Sequence, residues 1–541
     1  MNPYVVPGLV VVVLVTVGIG AYGLRFARTT SDFLVASRSV SPAWNAAAIG
    51  GEYLSAASFL GVAGLVLRYG VDVLWYPVGF AAGYLALLLF VAAPLRRSGA
   101  FTLPDFCQVR LRSPLLRRLA TVFVVFIGCL YLLPQLQGAG LTFTTVTGGR
   151  YEWGALLVGI VVTANVALGG MRAITFVQAF QYWLKLTALA VPVIFLALQW
   201  QSDGRPAVTP PSGPVFSAAT TVVIEQDALL DGSVRVRAGE ELSFAAGDPV
   251  PRVSSVDDNR GLDWLLPGGD EGLFATYSLI LATFLGTMGL PHVLVRFYTN
   301  PDGASARRTT LVVLALVGLF YLLPTLYGVL GRVYTPHLLM TGRTDAVVLV
   351  LPEAALGGGH LGQFLGALVT AGALAAFLST SSGLLTSVAG VVFTDVLHAD
   401  RGGSVRDFRL ATVLAAVVPM ALSLYVADMD VSRVVGLAFA VAASSFCPLL
   451  VLGIWWRGLT DVGAAAGILA GGGAAMAAAL LTVMGSPLDG WPGELIGQPA
   501  AWTVPLAFAV MVGGSLLTKR RIPQDIGATM LRLHAPESLR L

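Results

Sequence analysis

The chain has 541 residues, 56% of them hydrophobic and 12% charged, with a formal net charge of +3. A soluble protein carries about 25% charged residues, whereas here apolar runs of around 20 residues, the length of a membrane-spanning helix, recur from end to end. This composition excludes a soluble enzyme with one anchor and predicts a polytopic integral membrane protein. Basic residues are nearly all arginine, Lys185 and Lys519 being the only lysines, and nothing in the charge balance points to nucleic acid. Cys107, Cys129 and Cys447 are far apart and read as small hydrophobes without metal or redox spacing.

About thirteen transmembrane helices are expected from the apolar runs. The first covers Pro3–Leu24; arginines follow it rather than precede it, so it reads as a retained helix and not a secretory signal. The second covers Pro42–Leu67 and the third Val71–Ala93. A loop with Arg96, Arg97, Arg110, Arg112, Arg117 and Arg118 leads to Leu119–Thr145, Trp153–Gly169 and Ala173–Trp200. After a polar insert, Gln201–Asp270, come Gly272–Phe297, Thr309–Val333, Leu361–Leu397, Phe408–Val426 and Val431–Trp456. The last two are Val462–Met484 and Ala501–Leu517.

An external N-terminus and a cytoplasmic C-terminus then put Arg25, Arg28, Arg38, the arginine-rich loop, Arg172, Arg296, Arg307, Arg308, Arg401, Arg406, Arg409, Arg457 and Lys519–Arg521 inside. Only Arg68, Arg150, Arg332 and Arg343 fall in short outer loops, which is the positive-inside bias of a plasma-membrane protein. The insert lies outside. Its segments TVVIEQ, SVRVRAG and ELSFAAG alternate apolar and polar residues between Asp-Gly and Gly-Asp turns, which predicts short β strands, as a lid or as decoration.

The second and seventh spans run in opposite directions, so spans two to six and seven to eleven can form two inverted five-helix units, a transporter architecture. The expected division is 1–40, a first helix and loop; 41–200, the first repeat; 201–270, the insert; 271–456, the second repeat; and 457–541, two added helices and a tail.

Both repeats open with an interrupted helix. In the first, WNAAAIGGEYLSAASFLGVAG (Trp44–Gly64), the Gly50-Gly51 pair is followed by Glu52. Two glycines weaken a helix by about 1 kcal/mol each and a carboxylate in hydrocarbon costs a few kcal/mol more, so the break is expected at the glycines. In the second, GTMGLPH (Gly286–His292), a proline follows two glycines. A helix break frees carbonyls and amides of opposite partial charge, suited to a cation and an anion. Ser55 and Ser58 add hydroxyls to the first break, and Met288 lies in the second.

The ninth span carries four consecutive hydroxyls, Ser379, Thr380, Ser381 and Ser382. Lys185 lies too deep in the sixth span to reach either surface, and an intramembrane lysine is a functional hypothesis by default. It could attract a substrate carboxylate, pair with Glu52, or titrate as a proton carrier. Gln135, Gln137, Gln178 and Gln181 offer donors and acceptors to a small polar solute or to other helices. His292 reads as a helix-end hydrogen bonder and Asp395 as the inner end of the ninth span.

The chain resembles the sodium:solute symporter family, most closely its cation/acetate (monocarboxylate) permease branch. The resemblance rests on SDFLVASRSVSPAWNAAAI (Ser31–Ile49), GGEYLSAASFLG (Gly50–Gly61), FTLPDF (Phe101–Phe106), GTMGLPHVLVRFYT (Gly286–Thr299) and AAFLSTSSGLL (Ala375–Leu385). It implies an all-α membrane fold of thirteen spans with a five-plus-five inverted-repeat core and two discontinuous helices. It also implies a sodium ion held by the carbonyls of Gly51, Leu54 and Ala376 and the hydroxyls of Ser379 and Thr380. Members that carry proline or sugars have an aspartate near the start of the sixth span; Gln178 stands there in this chain, and the acidic residue near the first break is shifted to Glu52.

The expected function is therefore uptake of a small monocarboxylate such as acetate, propionate or pyruvate, coupled to sodium, with no cofactor, no nucleic acid and no obligate protein partner. Substrate or coupling candidates are Glu52, Ser55, Ser58, Gln135, Gln178, Gln181, Lys185 and Met288. Alternatives are proton coupling through Lys185 and Glu52, or another solute such as proline. A sensor or intramembrane enzyme has little support, since no nucleotide loop, zinc motif or serine elbow stands in a suitable context.

Overall fold

A computed structural model describes residues 2–23, 40–208, 213–224, 227–254, 262–265, 273–397, 404–425, 431–485 and 490–536. Arg25, Arg28, Arg38 and Arg401, which carry part of the orientation reading, and residues 31–39 of the first motif lie outside them.

The architecture is all-α with a small β excursion. Helix α1 (Val5–Gly23) is followed by α2 (Pro42–Tyr53), a π-turn over Ala57–Gly61 and α3 (Val62–Tyr69), which together form the first interrupted helix. Then come α4 (Trp75–Phe90), α5 (Ala92–Arg97), the loop helix α6 (Leu103–Leu111) and α7 (Pro114–Thr147). Helix α8, Tyr151–Ser202, turns at Gly170, where φ is 63°, into two spans, Tyr151–Met171 and Ala173–Ser202.

The second interrupted helix is α9 (Leu273–Gly289) with α10 (Pro291–Phe297), bent by 40°. It is followed by α11 (Gly303–Tyr334), α12 (Leu338–Thr341), α13 (Val347–Leu356), α14 (His360–Val391), α15 (Val405–Ser423) and α16 (Val431–Trp455). Helices α17 (Asp461–Gly467) and α18 (Gly473–Val483), joined by a π-turn, lead through α19 (Trp491–Gly497) to α20 (Ala500–Leu517) and α21 (Ile526–His534).

Ten of the described helices are long and apolar enough to cross a membrane, and eleven if the bent pair is one span. The difference from thirteen has two sources. Residues of the expected second and third spans run together as one stretch, Ala57–Phe90, because a 3-10 turn at Gly70–Leu74 joins α3 to α4. The expected tenth span, α15, opens with Arg406, Asp407 and Arg409, which dilute its apolar window.

Packing places the first broken helix at the centre. Helix α2 lies against the second arm of α8, and α14 packs along α8. Helix α9 packs on α16. One apolar core runs through these helices, from Ile49 and Leu54 through Phe377 to Phe439.

The insert forms two antiparallel two-stranded sheets, Thr220–Val223 with Glu241–Phe244 and Ala228–Leu230 with Val234–Val236. Phe216, Val222 and Ile224 of the insert close a small core together with Met340 of α12. A short turn, Leu262–Leu265, brings Trp264 onto the end of α3, where its indole donates to Val66 O at 2.9 Å and Arg332 lies over its ring at 4.7 Å. Asp395 ends the ninth span, as the sequence suggested, and accepts from Arg117 Nε at 2.7 Å and Thr121 Oγ1 at 2.9 Å.

Candidate functional site

The first helix is not broken where the glycines stand. Helix α2 runs through Gly50 and Gly51 to Tyr53, and the backbone leaves helical geometry at Leu54 and Ser55. The glycines have another task. A Cβ on Gly51 would lie 2.3 Å from Gln178 O, and one on Gly50 would lie 2.9 Å from the Tyr182 ring. Their lack of side chains lets α2 press against the sixth span, so packing outweighs the propensity penalty of about 1 kcal/mol each.

This close approach brings Lys185 to the break. Its Nζ, fully buried, donates to Gly51 O at 2.5 Å, Leu54 O at 2.7 Å and Ser379 Oγ at 2.9 Å. An ammonium has three N–H donors and no acceptor, so all three find a partner here. Ser379 Oγ lies 2.6 Å from Gly51 O and 3.1 Å from Ala376 O, the two carbonyls open to its single proton. Thr380 Oγ1 donates to Glu52 O at 2.6 Å. The amide of Ala56, which begins the second half-helix, is capped by Gln135 Oε1 at 2.9 Å. Each of these groups freed by the break is met by a side chain from the fourth, sixth or ninth span.

Four of the five residues expected to hold a cation thus share hydrogen bonds directly with each other or with Lys185: Gly51, Leu54, Ala376 and Ser379. Thr380 joins them one carbonyl further along α2, at Glu52 O. A further cation at the same oxygens would meet the ammonium at contact distance. Two unit charges about 3 Å apart repel by about 5–6 kcal/mol at an effective dielectric near 20.

Glu52 does not pair with Lys185 in side-chain contact. Its Oε2 accepts from Arg296 Nε at 2.6 Å, with both side chains 1% exposed. Arg296 also donates from Nη1 to Thr175 Oγ1 at 2.9 Å and from Nη2 to Gln178 Oε1. Gln178 Nε2 in turn donates to Ser379 O at 2.7 Å. Gly383 of α14 makes room for the Glu52 carboxylate; a Cβ there would stand 2.1 Å from it.

The sequence position of Arg296 predicts an inner loop, and the structure corrects this. The helix that restarts at Pro291 places Arg296 in its last turn, buried against α2 and the sixth span. The signal was present: proline at the first helical position starts a helix, and the run that follows it, PHVLVRF, is apolar except at His292 and Arg296.

The other candidates disperse. Ser55 is buried in the break itself. Ser58 shares a 2.7 Å hydrogen bond with the Tyr321 hydroxyl. Gln181 donates to Thr16 Oγ1 of α1 at 3.2 Å, away from the break. Met288 is buried beside the second break, and Gln137 is buried on α7.

Sequence reasoning also missed an aromatic cluster beside both breaks. Tyr53 packs edge-on to Tyr84 at 4.7 Å and to Phe439 at 6.2 Å, and its hydroxyl meets Thr287 Oγ1 at 2.9 Å. Tyr131 lies 5.8 Å from Phe439 and 5.3 Å from His292. The Tyr84 hydroxyl and both ring nitrogens of His292 are buried without a hydrogen-bond partner among the described residues. A crevice lies between α10, α14 and the Phe101–Leu103 turn, lined by Pro291, Val295, Thr386 and Gly390.

A family model described as "Sodium:solute symporter family" matches residues 33–203 and 254–471. The chain belongs to the sodium:solute symporter family. Among curated relatives of this symporter, a monocarboxylic acid transporter of Corynebacterium glutamicum is 31% identical, covering 94% of this chain and 90% of that one. An uncharacterised symporter of Bacillus subtilis, YwcA, is 30% identical over 95% of this chain and 94% of its own. Two solved structures share the fold. A Na+-coupled sialic acid symporter in a substrate-bound outward-open state has a TM-score of 0.67 at 13% identity and covers 96% of this chain and 97% of that one. Mhp1, a nucleobase-cation-symport-1 family transporter, has a TM-score of 0.53 at 12% identity and covers 93% and 99%. The fold is thus the all-α inverted-repeat transporter fold with two discontinuous helices, and the protein is a multi-pass membrane symporter.

Proposed function

We propose that this symporter takes up a small monocarboxylate, of the acetate, propionate or pyruvate class, by alternating access around the two helix breaks. The observation that carries the reading is a charge balance. Lys185 and Arg296 are buried with one carboxylate, Glu52, in the same cluster. That leaves one positive charge at the first break, and isolated charge in hydrocarbon is costly. A monoanion entering beside it offsets the excess; a neutral solute does not. The His292 ring, beside the second break, and the Tyr84 hydroxyl of the aromatic cluster have no hydrogen-bond partner among the described residues and can donate to a carboxylate. The relative named for monocarboxylic acids supports the same class.

The repeat division at 41–200 and 271–456, and an external N-terminus with cytoplasmic arginine-rich loops, belong to this proposal. Sodium is the coupling cation that the family name suggests. If one monovalent cation accompanies one monocarboxylate, the two charges cancel and the membrane potential contributes nothing. A tenfold cation gradient is then worth about 1.4 kcal/mol. Labelled acetate uptake into proteoliposomes tests the reading. Saturable uptake, inhibited by propionate and pyruvate but not by proline, is expected; uptake of proline in place of acetate contradicts it.

A further inference from the structure

We infer that the Lys185 ammonium is a tethered cation standing in for a sodium ion at the first helix break, so that the intact protein takes no free sodium at these oxygens. The family resemblance assigns this place to sodium through Gly51, Leu54, Ala376, Ser379 and Thr380. The residues present do not leave it open. Lys185 Nζ holds Gly51 O, Leu54 O and Ser379 Oγ at 2.5, 2.7 and 2.9 Å. These come from both sides of the break and from the ninth span, the junction a bound cation would bridge.

Two further observations fix the assignment. The nearby carboxylate, Glu52, is engaged by Arg296. Lys185 is therefore placed by backbone and hydroxyl oxygens, which are cation ligands, and not by a salt bridge. Of the two remaining expected ligands, Ala376 O lies 3.1 Å from Ser379 Oγ and Thr380 Oγ1 donates its proton to Glu52 O at 2.6 Å. The lysine thus takes over the charge and three of the ligands, while the threonine ties the helices together directly. A fixed charge of this kind joins the sixth span to α2 and α14 in every step where the contact persists, with no ion drawn from solution.

The inference deepens the symport reading on its cation side, but its test needs no substrate. Thermal unfolding of the purified full-length protein in detergent is followed while sodium chloride replaces choline chloride at constant ionic strength. For the intact protein, the expected result is that Ser379→Ala and Thr380→Ala leave any sodium response unchanged. Lys185→Ala is expected to acquire a saturable, sodium-dependent rise in Tm that Lys185→Ala/Ser379→Ala lacks. Lys185→Gln provides the same arm should the alanine variant fail to fold, and the comparison of intact protein with Ser379→Ala decides without either.

A sodium response of the intact protein whose half-saturation rises tenfold or more in Ser379→Ala overturns the inference. So does a folded Lys185→Ala protein with no sodium response beyond that of the intact chain. Absence of acetate uptake together with the expected sodium pattern rejects the monocarboxylate reading and leaves the tethered cation standing.

Discussion

The two helix breaks differ in how their freed groups are treated. At Leu54–Ser55 the groups released by the break are met from three other spans: Lys185 on two carbonyls, Thr380 on a third, Gln135 on an amide. At Leu290–Pro291 the interruption is made by proline, which has no amide to free, and the polar group beside it, His292, has no hydrogen-bond partner among the described residues. The first break is a filled, charged joint; the second borders an aromatic cluster with unused polar atoms. One holds helices together, and the other has capacity for a ligand. The difference teaches that paired discontinuous helices need not both be ion sites.

The comparison can be broken most forcefully at the Glu52–Arg296 pair. Arg296→Gln leaves Glu52 buried without its charge partner, and such losses cost about 3–5 kcal/mol. Thermal unfolding in detergent should show this as the largest drop among the variants named here; a Tm near that of the intact protein would mean the pair is not closed in the membrane. Next comes Gly51→Ala, whose methyl group would stand 2.3 Å from the backbone oxygen of Gln178. Overpacking of this kind costs about 1–3 kcal/mol, and it should also slow uptake by pushing α2 away from Lys185. Unchanged stability and uptake would show that the helices do not touch there.

Gln135→Leu removes the cap on Ala56 N–H, a loss of about 0.5–2 kcal/mol by analogy with helix N-caps. His292→Phe, at the second break, should have the smallest effect on stability, near zero or slightly favourable, since an unpartnered buried polar group is replaced by an apolar ring. Acetate uptake should nonetheless fall, through a raised half-saturation constant. If His292→Phe destabilised the protein as much as Gln135→Leu, the two breaks would be alike and the comparison would fail.

Much of the fold was legible because it is written locally. Apolar runs, the proline after GTMGL and the alternating strands of the insert each sit within one short segment. The residues of the first break were legible through the family motif. Its chemistry was less so. Gly50-Gly51 advertised a break, but the structure uses both glycines for close approach inside an intact helix, and the backbone opens three residues later, at Leu54. Propensity alone cannot separate these uses, because both need the absence of a Cβ.

The deeper reason is separation along the chain. Lys185 and its oxygen partners are 134, 131 and 194 residues apart. No spacing rule reaches across such gaps, so the sequence left Lys185 with three open roles. Arg296 was hidden differently. Counting arginines as loop markers ignored that Pro291 restarts a helix, which carries the guanidinium into the protein. Trp264, which reaches from the insert onto the carbonyl end of α3, had no sequence signal at all.

The most direct test of the central claim is equilibrium binding of 22Na+ to the purified protein and to its Lys185→Ala variant, each with and without Ser379→Ala. A tethered cation predicts that Ser379→Ala changes nothing in the intact chain, while Lys185→Ala gains one saturable sodium site that Ser379→Ala removes. Sodium binding by the intact chain that is lost on Ser379→Ala, with none gained on Lys185→Ala, would contradict it.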